Sequence, residues 1–406
     1  MKETPHLFAA ALALFVSLAA VIGFSLEAHH FEEKYVHAVA GVDHSATNEG
    51  SALERLALEQ NDLLLIYGAS ELMLLDTKYQ ANRFFSEYPT GFMIFNAATK
   101  GGSALTIAQK LAAIGPELRG KRIVLSVGPA IMTMAPDGDV NTRHYYGNFS
   151  QLHAMELAFS PYLSFETKQL AAARMLEFPE SFKDRPFLQF ALEELAQNSL
   201  RDRLLYYLAY PLGRLQLAIM HVQDDYASVE FIRGLSATDV KITRTPQKID
   251  WPALAAVAQK EQIKQTDTNP YGVDNSQWHK ISDLFLSPVP LGSRDDDFIY
   301  DVNHAREWQD LDIALRVIRE LGANVVIISS PMNVGLWKTI GVSEQAQNTY
   351  YEKLHAVVAP YGLPILDFRQ FGTMKYFSMD LASHASREGW IYYDQTLDGI
   401  FHGSLP

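Results

Sequence analysis

The sequence predicts an α/β fold: a parallel sheet flanked by helices, carrying a long, mostly helical insertion and preceded by one transmembrane helix. Three observations predict it. First, "DLLLIYG" (Asp62–Gly68) is a short aliphatic run ending on a small residue, as a strand buried on both faces of a parallel sheet does. Second, "GSALTIAQKLAAIGPEL" carries apolar residues at helical spacing after a Gly-Gly start, and "KRIVLSVGP" follows as another buried strand. Strand, helix, strand in that order implies right-handed crossovers. Third, the rhythm resumes far downstream: "WQDLDIALRVIRELG" reads as a helix, "ANVVIISSP" as a strand, "EQAQNTYYEKLHAVVAPYG" as a helix and "LPILDF" as a last strand.

Upstream of these elements lies "LFAAALALFVSLAAVIGFSL" (Leu7–Leu26), an uncharged run of 20 residues. At about 1.5 Å per residue a helix of that length spans roughly 30 Å, the thickness of a bilayer core. A cleaved signal peptide would have an apolar region of about 7–15 residues and a small-x-small site close behind it. The following "EAHHFEEKY" offers no good site, and "AVA" at Ala38–Ala40 lies well downstream. Residues 1–28 therefore read as an uncleaved single-pass anchor, with the soluble remainder outside the cytoplasm, periplasmic or at the cell surface. Lys2 alone gives the positive-inside rule little to count. Residues 29–60 read as a polar stalk in which "EGSALERLALEQ" forms a short amphipathic helix, and residues 61–406 as one domain.

Within that domain, residues from about 137 to 297 break the strand–helix rhythm and read as a helical insertion covering the sheet. Its "LLYYLAYPLGRLQLAIM" (Leu204–Met220) is apolar but interrupted by Pro211 and Gly213, which argues against a second span. It reads as a pair of core helices, the alternative being a surface that touches lipid or a membrane partner.

Composition narrows the function. A formal net charge of −13 and no Lys/Arg cluster argue against a nucleic-acid surface. The absence of cysteine excludes disulfides, thiolate zinc sites and a cysteine nucleophile. The histidines form no H-E-x-x-H pair, so no metal site is expected and no cofactor is indicated.

Two stretches carry chemistry. In "YGASEL", Ser70 stands just past the first strand, at the carboxyl edge where open α/β sheets collect their sites. A serine there is either a nucleophile or a capping hydroxyl. In "DLASHASREGW", Asp380 and His384 lie four residues apart beyond the last strand, close enough for a carboxylate to fix an imidazole tautomer. The chain order Ser, Asp, His also occurs in α/β-hydrolases, but "YGASELM" lacks the second glycine of their G-x-S-x-G elbow.

Together with "NAATKGGSAL", these stretches resemble the SGNH hydrolase superfamily. More closely, the chain resembles the DltD family of D-alanyl transfer proteins. "TNPYGVDNSQW" (Thr268–Trp278), "EWQDLDIALRVIRELGANVVIISSPMN" (Glu307–Asn333), "WKTIG" and "YYEKLHAV" spread that resemblance over most of the soluble chain. It implies an SGNH-like fold and an extracytoplasmic serine acyltransferase, esterase or thioesterase. Such an enzyme works beside a membrane-bound O-acyltransferase, takes an acyl group such as D-alanine from an acylated carrier or donor, and serves an envelope glycan or teichoic-acid-like acceptor. Carried over residue by residue, Ser70 is the nucleophile, His384 the base and Asp380 its orienting acid. The sequence departs from the family at two places. "DLASH" has three residues between acid and base where the family has two, and "VGPAIM" (Val127–Met132) stands where it has a polar and aromatic "SPQWF"-like stretch. Both departures keep open a non-catalytic adaptor that brings the acyltransferase and its acceptor together.

Oxyanion donors are expected from the backbone N–H groups of Ser70 and of Gly101 or Gly102, with Asn96 and Asn333 as side-chain candidates. The bland alternative for each is a turn or a helix cap. Glu71 reads as a first-turn glutamate favourable to a helix dipole, and Asn269–Gly272 as a turn.

Overall fold

The computed structural model describes residues 5–42, 50–73, 77–133, 144–235, 245–287 and 289–404. Its centre is a sheet of five parallel strands: β1 (Leu63–Tyr67), β2 (Met93–Asn96), β3 (Arg122–Val127), β4 (Asn324–Ser329) and β5 (Ile365–Asp367). Their order across the sheet is β2-β1-β3-β4-β5. The chain steps from β1 outward to β2, returns past β1 to β3, and continues in that direction. The crevice at the carboxyl ends of β1 and β3 is thus the point where strand order reverses, the position at which open α/β sheets bind ligands.

Strand alternation sorts the core into two layers. Leu63, Leu65, Tyr67, Ile123, Leu125 and Ile327 point to one face, where they meet the helices Ala104–Ile114 and Glu307–Leu321 and most of the insertion. Leu64, Ile66, Val124, Val326 and Ile328 point to the other, against the helices Ala81–Glu87, Trp251–Lys264 and Arg387–His402. Because both faces are covered, the strands are continuous aliphatic runs rather than alternating ones. Shortening a residue at the centre, Leu65→Ala for example, would cost about 2–5 kcal/mol.

The structure departs from the sequence reading at four places. β2 is a further strand: "MIFN" is four residues long and apolar throughout, so it has no periodicity to betray it. The expected stalk is part of the packed body. One helix runs unbroken from Pro5 to Ala40, past the boundary expected at residue 28, and Val36, Val39 and Ala40 are buried in the first core layer. Leu53, Leu56 and Leu58 of the Ala52–Glu59 helix join them, and Tyr67 at the end of β1 donates to Glu54 Oε2 at 2.9 Å. The insertion reaches both faces, and its expected end at residue 297 falls inside the helix Asp295–His304, so it continues to Glu307; its expected start lies outside the described residues. Finally, Leu204–Met220 is no helix pair but part of one 35-residue helix, Leu200–Gly234, with Pro211 inside it.

Among the described residues, His6–Ala40 is the one helix long and apolar enough to cross a membrane, and its most apolar window is unburied.

Candidate active site

Ser70 opens a single 3₁₀ turn, Ser70–Leu72, directly beyond β1. The turn is fixed from below. Glu71 folds its carboxylate back under it, and Oε1 accepts the Ala69 N–H at 2.9 Å. Gly68 makes room for this, since a Cβ there would stand 2.6 Å from Glu71 Oε1. Glu71 lies in the first turn, as expected from sequence, and is buried there. Burial raises its pKa, against the opposing pull of the Ala69 and Glu71 N–H groups and the His384 charge.

The second half of the site is a closed loop. Ser378 and Ala385 form an antiparallel bridge, Met379 N–H donates to the His384 carbonyl at 2.8 Å, and Ser386 N–H donates to the Phe377 carbonyl at 2.9 Å. Asp380 and His384 sit inside that closure. The extra residue of "DLASH" is absorbed by Ser383, which takes the left-handed conformation (φ 68°), alone among the described non-glycine residues in having a positive φ. The loop therefore turns back, and Asp380 reaches His384 twice. Its Oδ1 accepts the His384 backbone N–H at 3.2 Å and its Oδ2 accepts Nδ1–H at 2.6 Å. A carboxylate can only accept here, so Nδ1 carries the proton and Nε2 is left as an acceptor. Ser70 Oγ lies 2.9 Å from that Nε2 and donates to it.

Asp380 and His384 are both buried. Burial alone would lower the His384 pKa, but the hydrogen bond and charge of Asp380, with a contribution from Glu71, raise it above its ordinary 6.5. The imidazole is thus oriented, basic and in contact with a hydroxyl, the arrangement that makes a serine nucleophilic.

The Asp–His loop is itself buttressed by the insertion, through the Asn269–Gly272 stretch that read only as a turn. Asn269 Oδ1 accepts the N–H groups of Tyr271 and Val273, both at 3.1 Å, and Gly272 (φ 81°) lies so close to the chain that a Cβ would stand 2.7 Å from the Lys375 carbonyl. Asp274 N–H then donates to the Met379 carbonyl at 2.9 Å, one residue before Asp380. The Asn and Gly were visible in sequence as turn residues, but what the turn supports was not.

The expected side-chain and Gly-Gly oxyanion donors fare differently. The Gly102 N–H is engaged elsewhere, which corrects that expectation, and one of the two donors of the Asn96 amide is in use. Asn96 Nδ2 donates to the Leu72 carbonyl at 3.2 Å and its Oδ1 accepts the Ala98 N–H, tying the end of β2 to the Ser70 turn. Gly102 N–H donates to the Thr99 carbonyl at 2.8 Å. Gly101 takes the left-handed turn position (φ 69°) that only glycine adopts cheaply. This Gly-Gly turn leads into the Ala104–Ile114 helix, which Ser103 and Thr106 cap reciprocally and whose Ala104 N–H donates to Glu307 Oε1 at 2.5 Å. Asn333 caps the Val334–Thr339 helix, its Oδ1 accepting the Leu336 N–H at 3.1 Å. The "VGPAIM" stretch ends β3 and starts a short helix, Pro129–Met132, in which Met132 is buried. Among the described residues no group of three or more His, Asp or Glu side chains is placed to hold a metal ion.

A family model described as "DltD protein" matches residues 43–402. The chain belongs to the DltD family. It is similar to Protein DltD of Bacillus subtilis (strain 168), 24% identical over 355 residues that cover 87% of this chain and 86% of the relative. It is equally similar to Protein DltD of Staphylococcus aureus, 24% identical over 359 residues covering 86% and 83%. Protein DltD of Lacticaseibacillus rhamnosus is 23% identical over 352 residues, covering 86% and 79%. The matched span of the DltD model runs from the end of the N-terminal helix to the last helix, so it takes in the Ser70 turn, the insertion and the Asp–His loop.

Proposed function

We propose that this DltD-family protein is a membrane-anchored, extracytoplasmic serine acyltransferase with an SGNH-like site. In this reading it serves the O-acylation, such as D-alanylation, of a cell-envelope polymer. The observation that carries the reading is the continuous hydrogen-bonded line from Ser70 Oγ through His384 to Asp380 at the strand-order reversal.

Ser70 Oγ attacks the acyl carbonyl carbon while His384 Nε2 takes its proton. The bond from that carbon to the donor's sulfur or oxygen then breaks, and His384 returns the proton to the leaving group. An acceptor hydroxyl enters, gives its proton to His384 and attacks the Ser70 ester, whose Oγ leaves and is reprotonated. Water in place of the acceptor makes the same chemistry an esterase or thioesterase. Asp380 holds the tautomer and stabilises the imidazolium in both halves. The backbone N–H groups of Ser70 and Gly101 are assigned to the developing oxyanion. The donor side is an acylated carrier handled with a membrane-bound O-acyltransferase, and the acceptor is an envelope glycan or teichoic-acid-like polymer.

The test is a Ser70→Ala variant in cells, with acyl groups on the envelope polymer measured against expression level. The proposal expects acylation to be lost while the protein accumulates normally. Normal acylation would remove the nucleophile and leave an adaptor that brings the acyltransferase and its acceptor together.

A further inference from the structure

We propose that the outward face of the Leu200–Gly234 helix lies in the interfacial layer of the lipid bilayer crossed by the N-terminal helix. The proposal rests on the reading of that N-terminal helix as an anchor.

The helix is apolar on two sides. Its inner side, with Tyr206, Ala209, Gly213 and Leu217, is buried against the body, and Gly213 is packed so closely on Phe159 that a Cβ would stand 2.4 Å from the ring. The inner side is therefore already used, and the outer side is not a core face waiting to be covered by its own domain. That outer side carries Leu200, Leu204, Leu208, Leu212, Leu215 and Ile219, which are 87%, 60%, 68%, 54%, 60% and 55% exposed. At about 100° per residue these six fall within a sector of roughly 120°. Arg201 stands in that sector beside Leu200; from Leu204 to Tyr226 the other residues in it are Pro211, Ala218, Val222 and Tyr226, so no charged or amide side chain interrupts it there. From Leu204 to Tyr226 the uninterrupted stripe is about 33 Å long at about 1.5 Å per residue. An exposed apolar surface of that extent marks an interface.

Its occupant is indicated by where the stripe ends. The Tyr226 ring is 6.4 Å from Phe24, which lies in the last turn of the apolar run Leu7–Leu26. Just beyond, Ser228 is hydrogen-bonded to Glu32, and the Arg233 guanidinium sits 5.9 Å from the Phe31 ring. The stripe thus ends where the anchor joins the body, and the apolar phase present at that point is the bilayer. Its borders suit the head-group layer. Tyr207 and Tyr226 offer rings with polar tips, and Arg203 and Arg214 stand along one border of the apolar sector, Arg203 bonded to Asn198 and set over the Phe165 ring, Arg214 3.8 Å from Glu156.

The cysteine-free chain makes the test clean. Single cysteines at Leu208→Cys and Leu215→Cys on the stripe, Leu14→Cys in the anchor and Glu352→Cys on an exposed helix position would each carry an NBD label. The full chain is then reconstituted into phosphatidylcholine–phosphatidylglycerol liposomes containing a nitroxide-bearing lipid. The proposal expects labels at 208 and 215 to emit at shorter wavelength and to lose roughly half or more of their emission to the lipid nitroxide, as buried interfacial side chains do. The label at 352 should do neither. Quenching at 14 with 208 and 215 behaving like 352 overturns the docking and leaves the anchor intact. No quenching at 14 overturns the anchor and the docking with it. A blue shift at 208 and 215 without lipid quenching means that protein, such as a second copy, covers the stripe, and overturns the lipid as occupant.

Discussion

His384 is held on both sides of its ring, and most of what the site does follows from the two partners. Asp380 fixes the Nδ1–H tautomer and, together with Glu71, outweighs burial, so the imidazole pKa lies above its ordinary 6.5. A base must be unprotonated to work. The acidic limb of ester turnover is accordingly expected above pH 6.5, with rate lost as pH falls through the raised pKa. Asp380→Asn removes the larger raising influence and leaves that of Glu71 against burial, so the limb should move to lower pH, and turnover should fall by about 10²–10⁴-fold. A pH–rate profile of both proteins on an activated ester checks this, and an unshifted limb would mean that Asp380 does not govern the imidazole. The contact depends on Ser383 at φ 68°. That backbone costs an L-residue about 1–2 kcal/mol and a β-branched one more, so Ser383→Gly should melt near the wild-type temperature. Ser383→Val should melt lower and turn over more slowly, because it pulls Asp380 from the ring. Equal melting and equal rates for Ser383→Val would contradict this account of the loop.

At the scale of elements, the strands buried on both faces were legible because a five- or six-residue aliphatic run ending on a small residue is too short for a helix and fits a buried parallel strand. β2 was not, being too short to show a period, and the tie from Asn96 at its end to the Leu72 carbonyl went unseen with it. The Leu200–Gly234 helix was misread at Pro211 and Gly213. Proline is exposed there and the helix carries it, while the glycine exists to let the helix approach Phe159. The stalk was misread because its contacts are tertiary. Asp224, far away on the long helix, accepts the N–H groups of Ser51 at 2.9 Å and Ala52 at 3.1 Å and so caps the Ala52–Glu59 helix. No local pattern announces such a cap. Asp224→Ala should destabilise the protein by about 0.5–2 kcal/mol, read as a lower midpoint in urea, with turnover per folded molecule retained. An unchanged midpoint would show that the long helix does not hold the start of the domain.

At the scale of the whole molecule, the sheet brings together residues that lie 314 apart in the chain, Ser70 and His384, at the one edge where strand order reverses. That convergence was legible in sequence as an option, because in a parallel sheet a nucleophile after the first strand and an acid–base pair after the last lie at the same carboxyl edge, where sheet order can bring them together. The oxyanion donors were harder, since whether an N–H is free depends on the turns around it, as Gly102 illustrates. The N-terminal helix, the long helix and the sheet then form one body, in which the start of the domain is clasped between the long helix and β1. The central claim is that Ser70 is a nucleophile activated by His384. Its most direct test is a fluorophosphonate probe on the intact protein, with the labelled residue found by mass spectrometry and His384→Ala as the comparison. The account predicts an adduct on Ser70 that is lost or much slowed in His384→Ala. An adduct on another serine, or none on folded wild-type protein, would contradict it.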